Sequence, residues 1–353
     1  MSKRKVDISK LSSICEIPGA PGFEKNIRDF VLQEITGLVD EVEVDNLGNI
    51  FALKKGVNNP HNKKVMVAAH LDEIGFMVTH IDDAGFIKFQ PLGGFDSKTL
   101  TSMRVLVHGT KDLVGVMGSK PIHIMSPEER TKAPKLSDFY IDLGLPKEEV
   151  EKMVSVGDAI TRKQDLIEIG EMINGKSLDN RLSVYILIET LRKLKSPVYD
   201  VYATFTVQEE VGLRGASVAA HKINPDFGLA IDVTIANDSP GVQAHEKVTE
   251  LGKGTAVKLY DAGVICDRRM VDFLKVTAKK NDISWQPEVL TGGSTDTAGL
   301  QRMGKNGAIA GALSIPLRYV HQVTEMAHQD DVIATIDLLT AALEEVDSYN
   351  WTH

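Results

Sequence analysis

The expected fold is decided by residues 201–212, Val-Tyr-Ala-Thr-Phe-Thr-Val-Gln-Glu-Glu-Val-Gly. The first six are rich in β-branched and aromatic residues, which predicts a buried strand. A glycine turn follows at 212–216 and leads into a predicted helix. Glu209 and Glu210 therefore stand where a strand ends, and in an open α/β sheet ligands bind at that edge. Taken alone, the pair is equally compatible with a solvated acidic turn.

Four further acid or imidazole side chains stand beside predicted core elements. Three follow short apolar runs and one opens a predicted helix: His70 after 64–70, Asp232 after 227–232, His321 after 308–315, and Asp179 before the helix that Pro197 ends. Histidine and carboxylate ligands suit zinc, cobalt or manganese rather than calcium. Two histidines and three carboxylates suffice for two ions about 3.5–4 Å apart that share a bridging carboxylate.

Each of these residues alone also has a purely structural explanation. His70 could be a hydrogen-bonded histidine at a strand end, Asp232 could start a turn, and Asp179 could be an acid favoured by the helix dipole. Their joint occurrence is what favours a metal site. Asp72, two residues beyond His70, is placed to accept the other ring N–H and fix the tautomer of the imidazole.

The length of 353 residues predicts two domains, because one hydrophobic core rarely grows that large. Between residues 74 and 162 short β-type runs alternate with glycine turns, whereas strands and helices alternate on either side. We predict an α/β fold with a mostly parallel central sheet flanked by helices. The main domain would comprise 1–73 and 163–353, interrupted by a small β-barrel-like domain at 74–162, whose sheet edges a partner could cover.

Charge and composition exclude several functions. The net charge of −9 argues against nucleic-acid binding, which needs a basic face. Cys15 and Cys266 cannot build a disulfide framework or a cysteine zinc cluster. No apolar run is long enough to span a membrane, and the basic start lacks the apolar run of a signal peptide. We therefore expect a cytoplasmic protein without membrane or nucleic-acid partners.

Separated motifs occur in one order along nearly the whole chain: His70-x-Asp72, Asp179-Asn180-Arg181, Glu209-Glu210-Val211-Gly212, Asp232 and Arg318-Tyr319-x-His321. In this set and order the chain resembles the co-catalytic metallo-aminopeptidases, the family of glutamyl aminopeptidases and tetrahedral (TET) aminopeptidases. Some members of that family carry the name endoglucanase. The segments Ala20-Pro21-Gly22-Phe23-Glu24 and Gly292-Gly293-Ser294-Thr295-Asp296 extend the resemblance.

The resemblance implies a zinc-peptidase-like fold and removal of the N-terminal residue from peptides. It implies two divalent ions, zinc or cobalt with manganese as a third option, and these roles: His70 and Asp232 on one ion, Glu210 and His321 on the other, Asp179 bridging, Glu209 as general base. Similar proteins commonly have Ser-Pro after the last histidine, where this chain has Gln322-Val323, so the shape of that loop is less securely implied.

The resemblance also implies assembly, because in similar proteins the inserted domain pairs subunits and dimers build a hollow dodecamer. Two other functions stay open on the residues alone. A glycoside hydrolase could use Glu209 and a partner acid, but would leave the histidines and Asp179 unexplained. A noncatalytic assembly or peptide-binding protein could use the insert. No residue decides which N-terminal residue is preferred.

Overall fold

The computed structural model describes residues 4–352, in which helices and strands alternate along much of the chain. The helices are α1 Ile8–Glu16, α2 Lys25–Glu34, α3 Pro127–Thr131, α4 Lys147–Met153, α5 Leu178–Lys193, α6 Arg214–Ile223, α7 Arg268–Lys280, α8 Thr297–Arg302 and α9 Gln329–Glu345. Within the described part of the chain, none is long and apolar enough to cross a lipid bilayer.

The strands divide into two sheets. Their bounds are β1 Glu41–Val44, β2 Ile50–Lys54, β3 Lys64–His70, β4 Gly75–Ile81, β5 Ile87–Leu92, β6 Arg104–His108, β7 Asp112–Gly118, β8 Tyr140–Asp142, β9 Ala159–Arg162, β10 Ile167–Ile169, β11 Met172–Gly175, β12 Asp200–Thr206, β13 Phe227–Ile235, β14 Thr255–Asp261, β15 Val264–Ile265, β16 Trp285–Val289, β17 Ile309–Arg318 and β18 Glu325–His328.

The large sheet has a parallel centre of four strands, in the order β12, β3, β13, β17. Most of the pairings outside this centre are antiparallel, including β1 with β2 on one side and β18, β11 and β10 on the other. The parallel pairing aligns the carboxyl ends of the central strands, with Thr206 opposite His70. The predicted α/β fold is confirmed, with the parallel strands confined to the middle of a mixed sheet.

Strand β3 shows why the centre is buried on both faces. Val65, Val67 and Ala69 pack into the larger core with α1, α5 and α9, whereas Met66 and Ala68 pack into a smaller core with α6 and α8. Side chains of a strand alternate between its two faces, so a continuous apolar run is what a sheet covered on both sides requires. Helices on both faces leave the strand ends as the accessible edge.

The second sheet is a closed antiparallel barrel in the order β4, β5, β8, β7, β6, β9. Its interior is apolar, and Phe76 stacks on Phe95 with ring centroids 4.2 Å apart. The barrel-like sheet is therefore confirmed as part of the fold. The expected sheet edges are absent from this part of the described chain, because pairing of β4 with β9 closes the barrel. A partner would have to contact its faces instead.

Two strand ends were predicted too early. The run at 227–232 was expected to end at Asp232, but β13 continues to Ile235, and the run at 308–315 was expected to end at Ile315, but β17 continues to Arg318. The two extensions pair with each other in register, Val233–Ile235 with Ile315–Leu317. Asp232 accordingly projects from within a strand and is held by the sheet backbone rather than by a loop.

A buried ion network lies between the barrel and the large sheet. Glu73, just after β3, accepts hydrogen bonds from Lys176 Nζ at 2.7 and 2.9 Å and from the Ser177 hydroxyl. Arg162 at the end of β9 contacts Glu325 of β18 at 3.2 Å. Burial alone would raise the pKa of Glu73, but Lys176 and the two nearby arginines, Arg162 and Arg181, hold it below the usual range. The two buried carboxylates, Glu73 and Glu325, therefore lie among three buried cations.

The Arg162–Glu325 pair provides a test of this network. Arg162→Met should lower the free energy of unfolding by about 3–5 kcal/mol, because the buried Glu325 carboxylate would lose its cation. Urea denaturation followed by circular dichroism measures the change. The control is Arg268→Met, which removes an exposed ion pair with Asp272 and should change the free energy of unfolding far less. Equal stability of the two variants would contradict the role given to the network.

Candidate metal centre

Six ionisable side chains meet at the carboxyl edge of the large sheet. His70 is the last residue of β3, Asp232 lies in β13, and the others occupy the turns and the helix start that follow: Glu209 and Glu210 after β12, His321 after β17, and Asp179 at the beginning of α5. The parallel register brings these ends together although the residues are up to about 250 positions apart. The structure therefore assembles every residue for which a metal or base role was predicted.

Five of the six side chains form two groups of three that share one member. His70, Asp179 and Asp232 have ligand atoms within 4.8 Å of one another, and so do Asp179, Glu210 and His321. Asp179 links the groups because its two oxygens face different histidines. Oδ1 lies 3.3 Å from His70 Nε2, and Oδ2 lies 3.1 Å from His321 Nε2.

The donor set fits a pair of divalent cations. The potential ligand atoms are carboxylate oxygens and imidazole nitrogens, which suit zinc, cobalt and manganese. Glu210 Oε1 is buried without a hydrogen-bond partner, although its Oε2 lies 3.4 Å from His321 Nε2. A buried carboxylate oxygen without a partner is costly, and a bound cation would satisfy it.

The pKa values show how strongly this cluster needs positive charge. Burial, reinforced by Asp179, raises the pKa of Glu210 to about 8, and burial likewise raises that of Asp232 to about 8. Burial alone would lower the pKa of His321, but its hydrogen bond to Asp179 and the charge of Glu210 raise it to about 9. Near neutral pH these groups hold protons when no ion is bound, and metal binding must displace them.

Glu209 belongs to neither ligand group. Its Oε2 lies 3.9 Å from His70 Nε2, and the residue is 9% exposed. Burial raises its pKa well above the usual carboxyl range, opposed by His70 and reinforced by Asp232. A buried carboxylate beside a cluster of ligands, with a raised pKa, has the properties of a general base.

The backbone before and through the glutamate pair is held by side chains from other segments. Four successive N–H groups each donate to a side-chain oxygen: Val207 to Asn49 at 3.1 Å, Gln208 to Glu24 at 3.1 Å, Glu209 to Asp72 Oδ1 at 3.0 Å and Glu210 to Asp72 Oδ2 at 3.1 Å. Gln208 has a φ of 55°, in the left-handed region. Sequence analysis assigned no role to Glu24 or Asn49, although Glu24 lies in a motif of the resemblance.

The acceptor for the His70 ring differs from the one predicted. His70 Nδ1 lies 3.1 Å from the carbonyl oxygen of Asp72 and 3.5 Å from its carboxylate. The carboxylate is already occupied by the two backbone N–H groups of Glu209 and Glu210. The carbonyl can fix the same tautomer, with Nε2 free toward the cluster. Asp72 therefore positions both the imidazole and the glutamate pair, by different atoms.

A cavity of about 710 Å³ opens beside this cluster. Beyond the six clustered residues, its wall comes from the end of β13, from β14 and from the glycine-rich loop before α8: Val233, Thr234, Ile235, Lys258, Asp261, Leu290, Thr291, Gly292, Gly293, Ser294 and Thr295, with Gly94, Gly212, Leu213 and Val320. The cavity is large enough for a peptide end, and its polar cluster lies at one side.

Comparison with known proteins gives one consistent result. The family model for M42 glutamyl aminopeptidase matches residues 48–338. A putative aminopeptidase of Acetivibrio thermocellus is 40% identical over 334 residues, 94% of this chain and 97% of that protein. The lysyl aminopeptidase of Pyrococcus furiosus is 35% identical over 357 residues, which cover 98% of this chain and 99% of that protein.

A solved structure gives the same result for the fold. The TET1 peptidase of Pyrococcus horikoshii superposes with a TM-score of 0.83 at 32% identity, covering 96% of this chain and 99% of that one. The family model spans most of the chain, and the relatives align along nearly their whole length. The chain therefore belongs to the M42 glutamyl aminopeptidase family, and its activity is that of a metal-dependent aminopeptidase.

Proposed function

We propose that each subunit binds two divalent ions, zinc or cobalt with manganese as a third option. His70 and Asp232 would hold one ion, Glu210 and His321 the other, and Asp179 would bridge them. The observation that supports this assignment is the orientation of Asp179, whose two oxygens face His70 and His321 separately. Both ligand groups contain Asp179 and are otherwise distinct.

Ions bound there would polarise the scissile carbonyl of a peptide and lower the pKa of a water molecule. Glu209 would take the proton from that water and return it to the leaving amine. Its burial keeps the carboxylate basic, since its pKa lies well above the usual range. Asp72 would fix the direction of Glu209 through the backbone hydrogen bond at 3.0 Å.

Neighbouring substitutions separate the base from the ligand. Glu209→Gln should retain both metals and the fold but lose turnover roughly 10²–10⁴-fold, because a glutamine cannot accept the proton. Glu210→Gln, the matched variant one residue later, should lower the metal content as well as the rate. Hydrolysis of leucine p-nitroanilide and metal content by mass spectrometry measure the two effects.

Metal occupancy decides between the two roles. If Glu209→Gln loses an ion and regains a normal rate when metal is added back, the roles of Glu209 and Glu210 are exchanged. If both variants keep full activity, neither residue takes part in the reaction.

The two alternative functions explain less of the site. A glycoside hydrolase needs a pair of carboxyl groups at a defined separation and gives no role to His70, His321 or the bridging Asp179. A noncatalytic binding protein would not need a buried glutamate with a raised pKa beside two ligand groups. The cluster of candidate ligands His70, Asp179, Glu210, Asp232 and His321, here called the metal cluster, therefore favours peptide hydrolysis over glycoside hydrolysis and over noncatalytic binding.

We infer that residues 74–162 form an assembly domain inserted into a catalytic domain of 1–73 and 163–353. The barrel carries exposed aliphatic side chains, with Val114 and Val116 on one face of β7 and Ile122 and Ile124 just beyond it at 60% and 67% exposure. Exposed aliphatic clusters often mark protein contacts. The similar TET1 peptidase is described as assembling into a tetrahedron or a large octahedral shell. By analogy, dimers of this chain would build a dodecamer.

The assembly can be measured by light scattering. The wild-type protein should have a mass many times the 38.6 kDa of one chain. Replacing both Ile122 and Ile124 by aspartate should reduce that mass, because charges would have to be buried in the contact. The control is Ile265→Asp, an exposed isoleucine of β15 in the large sheet, which should leave the mass unchanged. A fully active wild-type monomer would contradict the assembly and the role of the barrel.

The names of the relatives leave the preferred N-terminal residue undecided. The family description names glutamyl aminopeptidase, whereas one relative is a lysyl aminopeptidase. The substrate class must therefore come from the wall of the cavity in this chain.

A further inference from the structure

The cavity beside the candidate metal ligands is lined by few side chains that can carry a positive charge. Among the residues that line it, the two histidines and Lys258 are the groups that can carry positive charge, and the histidines belong to the metal cluster. A pocket that accepts an acidic side chain needs a cation free to pair with it. The state of Lys258 therefore decides whether this pocket can bind a carboxylate.

Lys258 is not free. It is fully buried, forms an ion pair with Glu288, and lies 3.4 Å from Asp261 Oδ2. Burial alone would lower its pKa, but Glu288 and Asp261 raise it above the usual value, so the ammonium stays charged. Its charge is already compensated by two carboxylates, Asp261 in the wall and the fully buried Glu288 next to Lys258.

The carboxylates beside Lys258 leave the wall negative. Asp261 Oδ1 accepts the N–H groups of Gly263 and Val264 at 2.8 and 2.9 Å. Glu288 Oε1 also accepts the Thr234 hydroxyl at 2.7 Å, while its Oε2 is buried without a partner. One ammonium and two carboxylates sum to a charge of −1. An approaching carboxylate would meet repulsion, and no lining cation outside the metal cluster would be free to pair with it.

Aliphatic side chains supply much of the remaining wall, beside the hydroxyl groups of Thr234, Thr291, Ser294 and Thr295. Val233 and Ile235 project from β13, Leu290 precedes the glycine loop, and Val320 precedes His321. Apolar side chains in this position favour an apolar partner, because contact removes hydrocarbon surface from water. Gly292 and Gly293 also line the cavity, and because they lack side chains they leave space beside these aliphatic groups.

We propose that this pocket selects peptides whose N-terminal residue has an uncharged aliphatic side chain and rejects those that begin with an acidic one. The inference rests on the proposed function for the position of the peptide, with its amino end at the metal cluster. It departs from the residue in the family's name, because the wall has no unpaired cation for a glutamyl side chain. A lysyl side chain would be disfavoured less than a glutamyl one, because the charge of Asp261 attracts it. It would still bind less well than an aliphatic side chain, because both carboxylate oxygens of Asp261 already accept hydrogen bonds.

The test compares the p-nitroanilides of leucine, lysine and glutamate on the metal-loaded enzyme. We expect kcat/KM to fall in that order, with leucine about 100-fold or more above glutamate. N-acetyl-leucine p-nitroanilide checks that the reaction needs a free amine. A glutamate substrate that equals or exceeds leucine would overturn the inference, and so would lysine exceeding leucine.

A substitution in the wall tests the charge argument directly. Ile235 is 43% exposed at the end of β13 and lines the cavity. Ile235→Arg would add an unpaired cation and should raise the ratio of glutamate to leucine turnover about fivefold, the scale of an exposed ion pair. Ile235→Gln is the matched control, because it adds a polar group without charge. Equal ratios in the two variants would contradict a pocket governed by charge.

Binding separates this inference from the proposed function. If no anilide is hydrolysed, the proposed activity fails, but the pocket is still tested by free amino acids. Leucine should raise the melting temperature of the metal-loaded protein more than glutamate at equal concentration. Stronger stabilisation by glutamate would overturn the inference whatever the catalytic result.

Discussion

The burial of four carboxylates around two histidines is the constraint on which the site depends. Asp179, Glu209, Glu210 and Asp232 all lie at the edge of the central strands, mostly removed from water. Like charges at this spacing cannot all be ionised without cations between them. His70 and His321 alone supply at most two positive charges. Bound divalent cations would supply compensation that matches both the donor set and the family to which the chain belongs.

The surrounding structure is arranged to keep this crowded edge in place. Asp72 uses its carboxylate to hold the backbone of both glutamates and its carbonyl oxygen to orient His70. Glu325 accepts the N–H of Asp179 at 2.9 Å and is itself paired with Arg162. The ion network between the barrel and the large sheet thus contacts Asp179 directly. The carboxylates of this network are paired with cations of the protein, whereas the carboxylates of the ligand cluster outnumber the two histidines beside them.

Local sequence pattern predicted the parts of the fold that local physics controls. The run at 64–70 coincides with β3, because a strand covered on both faces has to be apolar throughout. The pattern at 227–232 failed at its end, because Asp232 interrupts the apolar run while Val233 and Ile235 continue the strand. Pairing of β4 with β9 removes the predicted sheet edges of the barrel and could not be derived from local pattern, since those strands are about 80 residues apart.

The residues of the candidate site were predicted better than their contacts. The resemblance named the six clustered residues, and the structure brings them together. Their supporting partners could not be derived in the same way. The bond from Gln208 to Glu24 joins segments 184 positions apart, and the acceptor of the His70 ring depends on how one turn after β3 is folded. Such contacts follow from tertiary geometry, which spacing along the chain does not encode.

Anomalous diffraction at the zinc or cobalt absorption edge, on crystals of the metal-loaded protein, tests the central claim most directly. Two peaks about 3.5–4 Å apart are expected in each subunit, one on each side of Asp179, with Glu209 outside the coordination of both. A single ion, or an ion bound by Glu209 and not by Asp179, would contradict the dinuclear site.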